Sequence, residues 1–205
     1  MARTVKEFVK HNKRIVPVIT LPDLASAIPL ADTLSSCGFQ VLEITLRTEW
    51  ALAAIAQLKQ ERPGLLIGAG TVKNETQLLQ SIDAGAEFIV SPGLDAKLVQ
   101  QAQSNNVQMI PGVMTPTEIM EAENQGLETV KLFPASLAGG ADFIRSMASV
   151  FPGMSFFPTG GITEDNINDY LNMPNVLCAG GTWLSPIPLL QKGDWNRIHE
   201  IALRC

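Results

Sequence analysis

The stretch VLEITLRTEWALAAIAQLKQERPGLLIGAGTV, residues 41–72, decides the fold. Its first run, Val41–Leu46, alternates: Leu42, Ile44 and Leu46 are apolar, while Glu43, Thr45 and then Arg47 are polar. Period-two alternation belongs to a β-strand with two unlike faces. Glu49–Gln60 then carries helical spacing, and Leu65–Gly68 is a second apolar run. Outward from this unit the pattern repeats. Further strands are predicted over Ile15–Thr20, Phe88–Ser91, Gln108–Pro111, Val130–Phe133, Ser155–Pro158 and Val176–Ala179. Helices are predicted over Asp23–Ser36, Asn74–Ala84, Asp95–Asn105, Thr115–Gln125, Ala141–Val150, Glu164–Asn172 and Trp195–Leu203, with one more over Val5–Asn12 at the start.

Strand-then-helix units in series favour a parallel sheet with helices outside. The repeat implies an α/β protein, a (β/α)8 TIM barrel with an extra N-terminal helix, as one domain over residues 1–205. An open doubly wound sheet is the alternative. It is disfavoured because the first strand runs into Leu21-Pro22-Asp23, with no glycine-rich dinucleotide loop.

Composition narrows the function. Apolar residues make up 46%, enough for a substantial core, while the net charge is −5 and the pI about 5.0. That balance argues against nucleic acid and anionic membranes as partners. The charged start is unlike a secretory signal, and no apolar run is long enough to span a bilayer. Cys37, Cys178 and Cys205 have no paired spacing, which points to a reducing, cytoplasmic setting. His11 and His199 are too few for a three-histidine zinc site, although counting alone leaves a carboxylate magnesium site open.

The strand ends carry the chemistry. In a barrel, active sites form at the C-terminal ends of the strands. Alternation turns Glu43, Thr45 and Arg47 inward from the second strand, and Thr129, Lys131 and Phe133 share a face of the sixth. Both strands are even-numbered, so Glu43 and Lys131 are expected to approach each other across the interior. A lysine readily loses its proton when desolvated, and the neutral amine attacks carbonyls. The plainer readings are a snorkelling edge-strand lysine or a buried ion pair without chemistry. Arg47, nearer the mouth, suits bidentate capture of a carboxylate; its plainer reading is a surface pair with Glu49. Gly160-Gly161 and Gly180-Gly181, each beside a threonine, follow the seventh and eighth strands, where paired glycines let backbone N–H groups meet a phosphate near a helix N-terminus. Ordinary turn glycine is the plainer reading, and Gly139-Gly140 reads as loop. Amine nucleophile, carboxylate proton carrier, carboxylate clamp and phosphate cradle together suit a Schiff-base aldolase acting on a phosphorylated 2-keto acid.

VLEITLRT (41–48), GAGTV (68–72), SPG (91–93), PGVMTPTE (111–118), VKLFPA (130–135), PTGGI (158–162) and GGTWL (180–184) resemble the 2-keto-3-deoxy-6-phosphogluconate (KDPG) and 4-hydroxy-2-oxoglutarate (KHG) aldolase family over nearly the whole chain. The resemblance implies a homotrimeric class I aldolase, a lyase of the Entner–Doudoroff pathway, cleaving KDPG to pyruvate and glyceraldehyde 3-phosphate without metal or organic cofactor. KHG, split to pyruvate and glyoxylate, is a further expected substrate. It assigns the imine to Lys131 and proton transfer to Glu43. It assigns the substrate carboxylate to Arg47 and Thr71, the pocket wall to Pro92 and Phe133, and the phosphate end to Thr159, Gly160, Gly161, Gly181 and Thr182. Thr182 departs from the family's frequent Gly-Gly-Ser-Trp, keeping the hydroxyl and adding a methyl. The alternatives are an aldolase for the galactonate-derived epimer, a metal-dependent phosphosugar lyase or epimerase, and a non-catalytic phosphate-binding barrel.

Overall fold

The computed structural model describes residues 3–205. Nine strands form two parallel sheets. The larger runs β5(Gln108–Ile110), β4(Phe88–Val90), β3(Leu66–Gly70), β2(Val41–Thr45), β1(Ile15–Ile19), β9(Ala179–Gly181) in spatial order. The smaller is β6(Gly112–Val113), β7(Thr129–Leu132), β8(Ser155–Phe156). Except between β5 and β6, helices connect successive strands, and every pairing is parallel. Among the described residues no helix is long and apolar enough to cross a membrane.

The expected fifth strand is divided at Pro111, which has no N–H to give to a ladder. Its carbonyl still accepts from Lys131 N at 2.8 Å. On the far side, Phe156 bridges Val176 and Gly180 N donates to Pro158 O at 2.8 Å, linking β8 to the segment that enters β9. The last strand therefore starts later than its apolar run suggests. Ile15, Val16 and Pro17 pair with Ala179, Gly180 and Gly181, which puts the second glycine pair inside a strand.

The helices begin where the sequence offers caps. Asn74 caps α4(Glu75–Asp83), Asp95 caps α5(Ala96–Ser104), and Thr115 forms a capping box with Glu118 on α6(Pro116–Asn124). Three chain reversals sit on Gly38, Gly85 and Gly126, all with positive φ. The expected helix at Asp23 starts later, as α2(Ala27–Ser36), because Asp23 accepts hydrogen bonds from the Ser26 N–H and hydroxyl and holds a turn. One helix is absent from the sequence reading: α9(Ile187–Lys192), six residues flanked and interrupted by proline.

Two apolar bodies result. One lies between the sheets and the outer helices. The other fills the inner face at the N-terminal ends of the strands, with Val16, Val41, Leu66, Ile110, Phe157 and Cys178 packed together. The helix α1(Val5–Val9) closes that end. Val5 and Val9 are buried in the inner cluster, and Val5 N donates to Gln108 Oε1 at 2.9 Å.

Candidate active site

The β1–β2–β3 register fixes the opposite end. Glu43 faces Val18 on one side and Gly68 on the other, and Thr45 faces Gly70. Glu43 is fully buried and Lys131 is 5% exposed. The Lys131 Nζ lies 3.3 Å from Glu43 Oε1, as two inward faces of facing sheets predict. Glu43 Oε2 has no hydrogen-bond partner, and the ammonium has protons left over. A purely structural ion pair in a dry interior is stable only when its remaining lone pairs and protons are also satisfied. This pair is half satisfied, so it is suited to a ligand. The centroid of the Phe133 ring lies 5.2 Å from Lys131 Nζ.

Gly70 makes room for the carboxylate: a Cβ there would collide with Glu43 Oε1. The next residue, Thr71, has φ +62. A β-branched side chain in the left-handed region is strained by about 1–3 kcal/mol, which the surrounding structure must offset. The strain directs Thr71 away from the strand and marks this strand end as specialised. Gly112 fits against the Pro92 carbonyl, which a Cβ would strike, so the Ser91-Pro92-Gly93 turn lies close over β6. Pro92 is itself exposed.

Arg47 lies past the strand end, not on the inner face that alternation gives it. It does not continue the strand. Leu46 N still bonds Gly70 O at 2.8 Å, but Arg47 N turns back to Thr45 O at 2.8 Å, leaving the side chain exposed beyond the sheet. It forms no ion pair with Glu49, or with any other described residue. Its guanidinium is therefore uncommitted.

At the other side of the mouth, Gly160 and Gly161 have φ +91 and +79, a conformation that glycine adopts without steric cost. Ala135 N and Ser136 N donate to Thr159 O and Gly160 O, at 2.8 and 3.0 Å, stitching the loop after β7 onto the loop after β8. A Cβ on Gly161 would strike Ser136 Oγ, so this hydroxyl overhangs the glycine pair. Sequence reasoning missed Ser136; the only signal was its place just after the VKLFPA motif. Thr159 is buried with Oγ1 unpartnered, and Gly180 leaves it space. Thr182 is exposed past the end of β9.

The expected helix N-terminus at the glycines is not there. Asn166 donates to Gly161 O and accepts from Thr163 N, holding a turn first, so α8(Ile167–Leu171) starts six residues past Gly161. After β9, the helix α9 likewise starts only at Ile187. The polar groups at this end are thus loop amides and hydroxyls, not a helix N-terminus. The Gly139-Gly140 pair, expected as loop, instead caps and opens α7(Gly140–Met147).

A parallel α/β scaffold that buries an amine beside a carboxylate at its strand ends, across from a glycine loop, fits the class of enzymes that attack a carbonyl with lysine. Comparison with known proteins agrees. A family model described as KDPG and KHG aldolase matches residues 5–201. The 2-dehydro-3-deoxy-phosphogluconate aldolase of Pseudomonas aeruginosa is 43% identical over 94% of this chain and 87% of its own length. The KHG/KDPG aldolase of Escherichia coli K12 is 42% identical over 98% of this chain and 94% of its own. The structure of KDPG aldolase from Legionella pneumophila, with pyruvate captured as a covalent carbinolamine, superposes with TM-score 0.94 at 37% identity, covering 99% of this chain and 98% of that one. The chain belongs to the KDPG and KHG aldolase family.

Proposed function

We propose that this protein is a class I aldolase, a lyase that cleaves KDPG to pyruvate and glyceraldehyde 3-phosphate and also splits KHG to pyruvate and glyoxylate. The observation that carries the reading is the half-satisfied pair, Lys131 Nζ 3.3 Å from a fully buried Glu43 whose second oxygen has no partner. Relatives of that name at 42–43% identity support it.

In this reading neutral Lys131 adds to the C2 ketone and loses water to give an imine. The protonated imine takes up the electrons released when Glu43, directly or through water, removes the C4 hydroxyl proton and the C3–C4 bond breaks. The aldehyde leaves, the same carboxyl returns a proton to C3 of the enamine, and hydrolysis frees pyruvate and the lysine. Arg47 and Thr71 hold the substrate carboxylate, and Pro92 and Phe133 line the pocket. Thr159, Gly160, Gly161, Gly181 and Thr182 receive the phosphate end. The uncommitted guanidinium of Arg47 and the buried, unpartnered hydroxyl of Thr159 support these roles.

The two sheets are read as one (β/α)8 barrel with α1 as its extra N-terminal helix, in a single domain over residues 1–205. The link through Pro111 and the Phe156–Val176 and Gly180–Pro158 contacts support closure. The protein is further proposed to work as a cytoplasmic homotrimer. Its three unpaired thiols fit a reducing compartment, and the exposed Leu137, Met120 and Met114 offer apolar surface for assembly. Light scattering is expected to give about three times 22.1 kDa. The activity is tested by comparing kcat/KM for KDPG, KHG and the galactonate-derived epimer. Turnover of KDPG or KHG is expected, the comparison ranks the three substrates, and no turnover of KDPG or KHG would refute the reading.

A further inference from the structure

The hydroxyl of Thr20 is oriented by its neighbours. Thr20 stands one residue past β1, and the register Val18↔Glu43, Ile19↔Ile44 sets it opposite Thr45. By strand parity it shares the inner face with Glu43 and Thr45. Thr45 is fully buried; its Oγ1 donates to Ile19 O at 2.9 Å and lies 2.8 Å from Thr20 Oγ1. A threonine hydroxyl has one proton and two lone pairs. A carbonyl cannot donate, so the Thr45 proton is spent on Ile19. The proton between the two threonines must then come from Thr20. The Thr20 hydroxyl makes no other hydrogen bond among the described residues, and the residue is half-buried. Its hydroxyl, on the inner face, therefore has two lone pairs to offer and no proton.

A group fixed as an acceptor is scarce at this end. Lys131, Arg47 and the loop amides at Gly160 and Gly161 are donors, the hydroxyls of Thr159 and Ser136 can donate as well as accept, and the free Glu43 Oε2 is the acceptor already used for proton transfer. The strand order β2-β1-β9 sets Thr20 between the strand of Glu43 and the strand that carries Gly181. On the aldolase reading, on which this rests, C4 of the substrate lies at Glu43 and the C6 phosphate lies at the glycines. C5 spans the gap between them. We propose that Thr20 is a specificity-determining residue that accepts a hydrogen bond from the C5 hydroxyl of the phosphorylated sugar acid.

The test is kcat/KM for wild type, Thr20→Val and Thr20→Ser on KDPG and on its 5-deoxy analogue, with pyruvate–borohydride adduct formation measured for all three. One neutral hydrogen bond corresponds to a loss of about three- to tenfold. Thr20→Val should lose that factor on KDPG and less than about twofold on the 5-deoxy analogue, while Thr20→Ser keeps the preference. Wild type should lose the same factor on moving to the analogue, an arm that needs no variant to fold. Equal treatment of the two substrates by wild type, or equal losses on both in Thr20→Val, overturns the assignment. If those results come with normal pyruvate adduct, only the role of Thr20 falls; absence of adduct in wild type removes the aldolase reading beneath it.

Discussion

The two ends of the inner face differ although the same strands build both. At the N-terminal end Val16, Val41, Leu66 and Phe157 pack into a closed apolar cluster under α1. Two to four residues further along these strands stand Thr20, Glu43, Gly70 and Thr159. There the burial is nearly as complete, but Glu43 Oε2 and Thr159 Oγ1 have no partners and Thr71 is held at positive φ. An interior with unmade hydrogen bonds is less stable than an apolar one of the same volume. The lower half therefore supplies stability, and the upper half gives some up to keep unpartnered polar groups.

That division can be broken by substitution. Lys131→Met should reduce turnover to background while far-ultraviolet circular dichroism stays native; measurable turnover would detach the chemistry from the upper end. Glu43→Gln, nearly isosteric, should lower kcat by about 10²–10⁴-fold, with exchange of pyruvate C3 protons falling in step. Normal exchange would leave Glu43 a structural partner only. Leu66→Ala addresses the lower end. It should cost about 2–5 kcal/mol in denaturant unfolding while the folded enzyme keeps kcat/KM within a few-fold. A much larger kinetic loss would show that the two ends are not separable.

The smallest effect sharpens the contrast by lying near the mouth but outside the inner face. Burial raises the Glu118 carboxyl, but the N–H groups of Met114 and Thr115 and the Thr115 hydroxyl outweigh it and hold the group below its ordinary value. A depressed folded value means that the stabilisation is present above the unfolded value and fades as pH falls through the folded one. Glu118→Gln should therefore lower stability at pH 7 by about 0.3–1 kcal/mol, the gap narrowing in acid, with activity untouched. A gap that widened in acid would reverse the sign.

Much of the scaffold is written in local pattern. The alternation of Val41–Leu46 and its neighbours indicates parallel strands, and parity alone brings Glu43 and Lys131 together. What remained hidden depends on tertiary contacts. Nothing in GAGTV tells that Gly70 is small because a carboxylate fills its side-chain space, nor that the β-branched Thr71 is bent into the left-handed region. Arg47 continues the polar period on paper, yet the chain turns one residue earlier. Ser136 and Gly161 meet only once two loops are stitched together. The short helix α9 carries too few turns for a period to show and is masked by Pro186 and Pro188.

On the aldolase reading proposed here, Lys131 is the amine that attacks the carbonyl. It is tested most directly by incubating the protein with pyruvate and borohydride and mapping the modified peptide by mass. One reduced pyruvate adduct per chain is expected, on Lys131 and lost in Lys131→Met. An adduct on Lys73 or Lys97 instead, or no adduct at all, would contradict it.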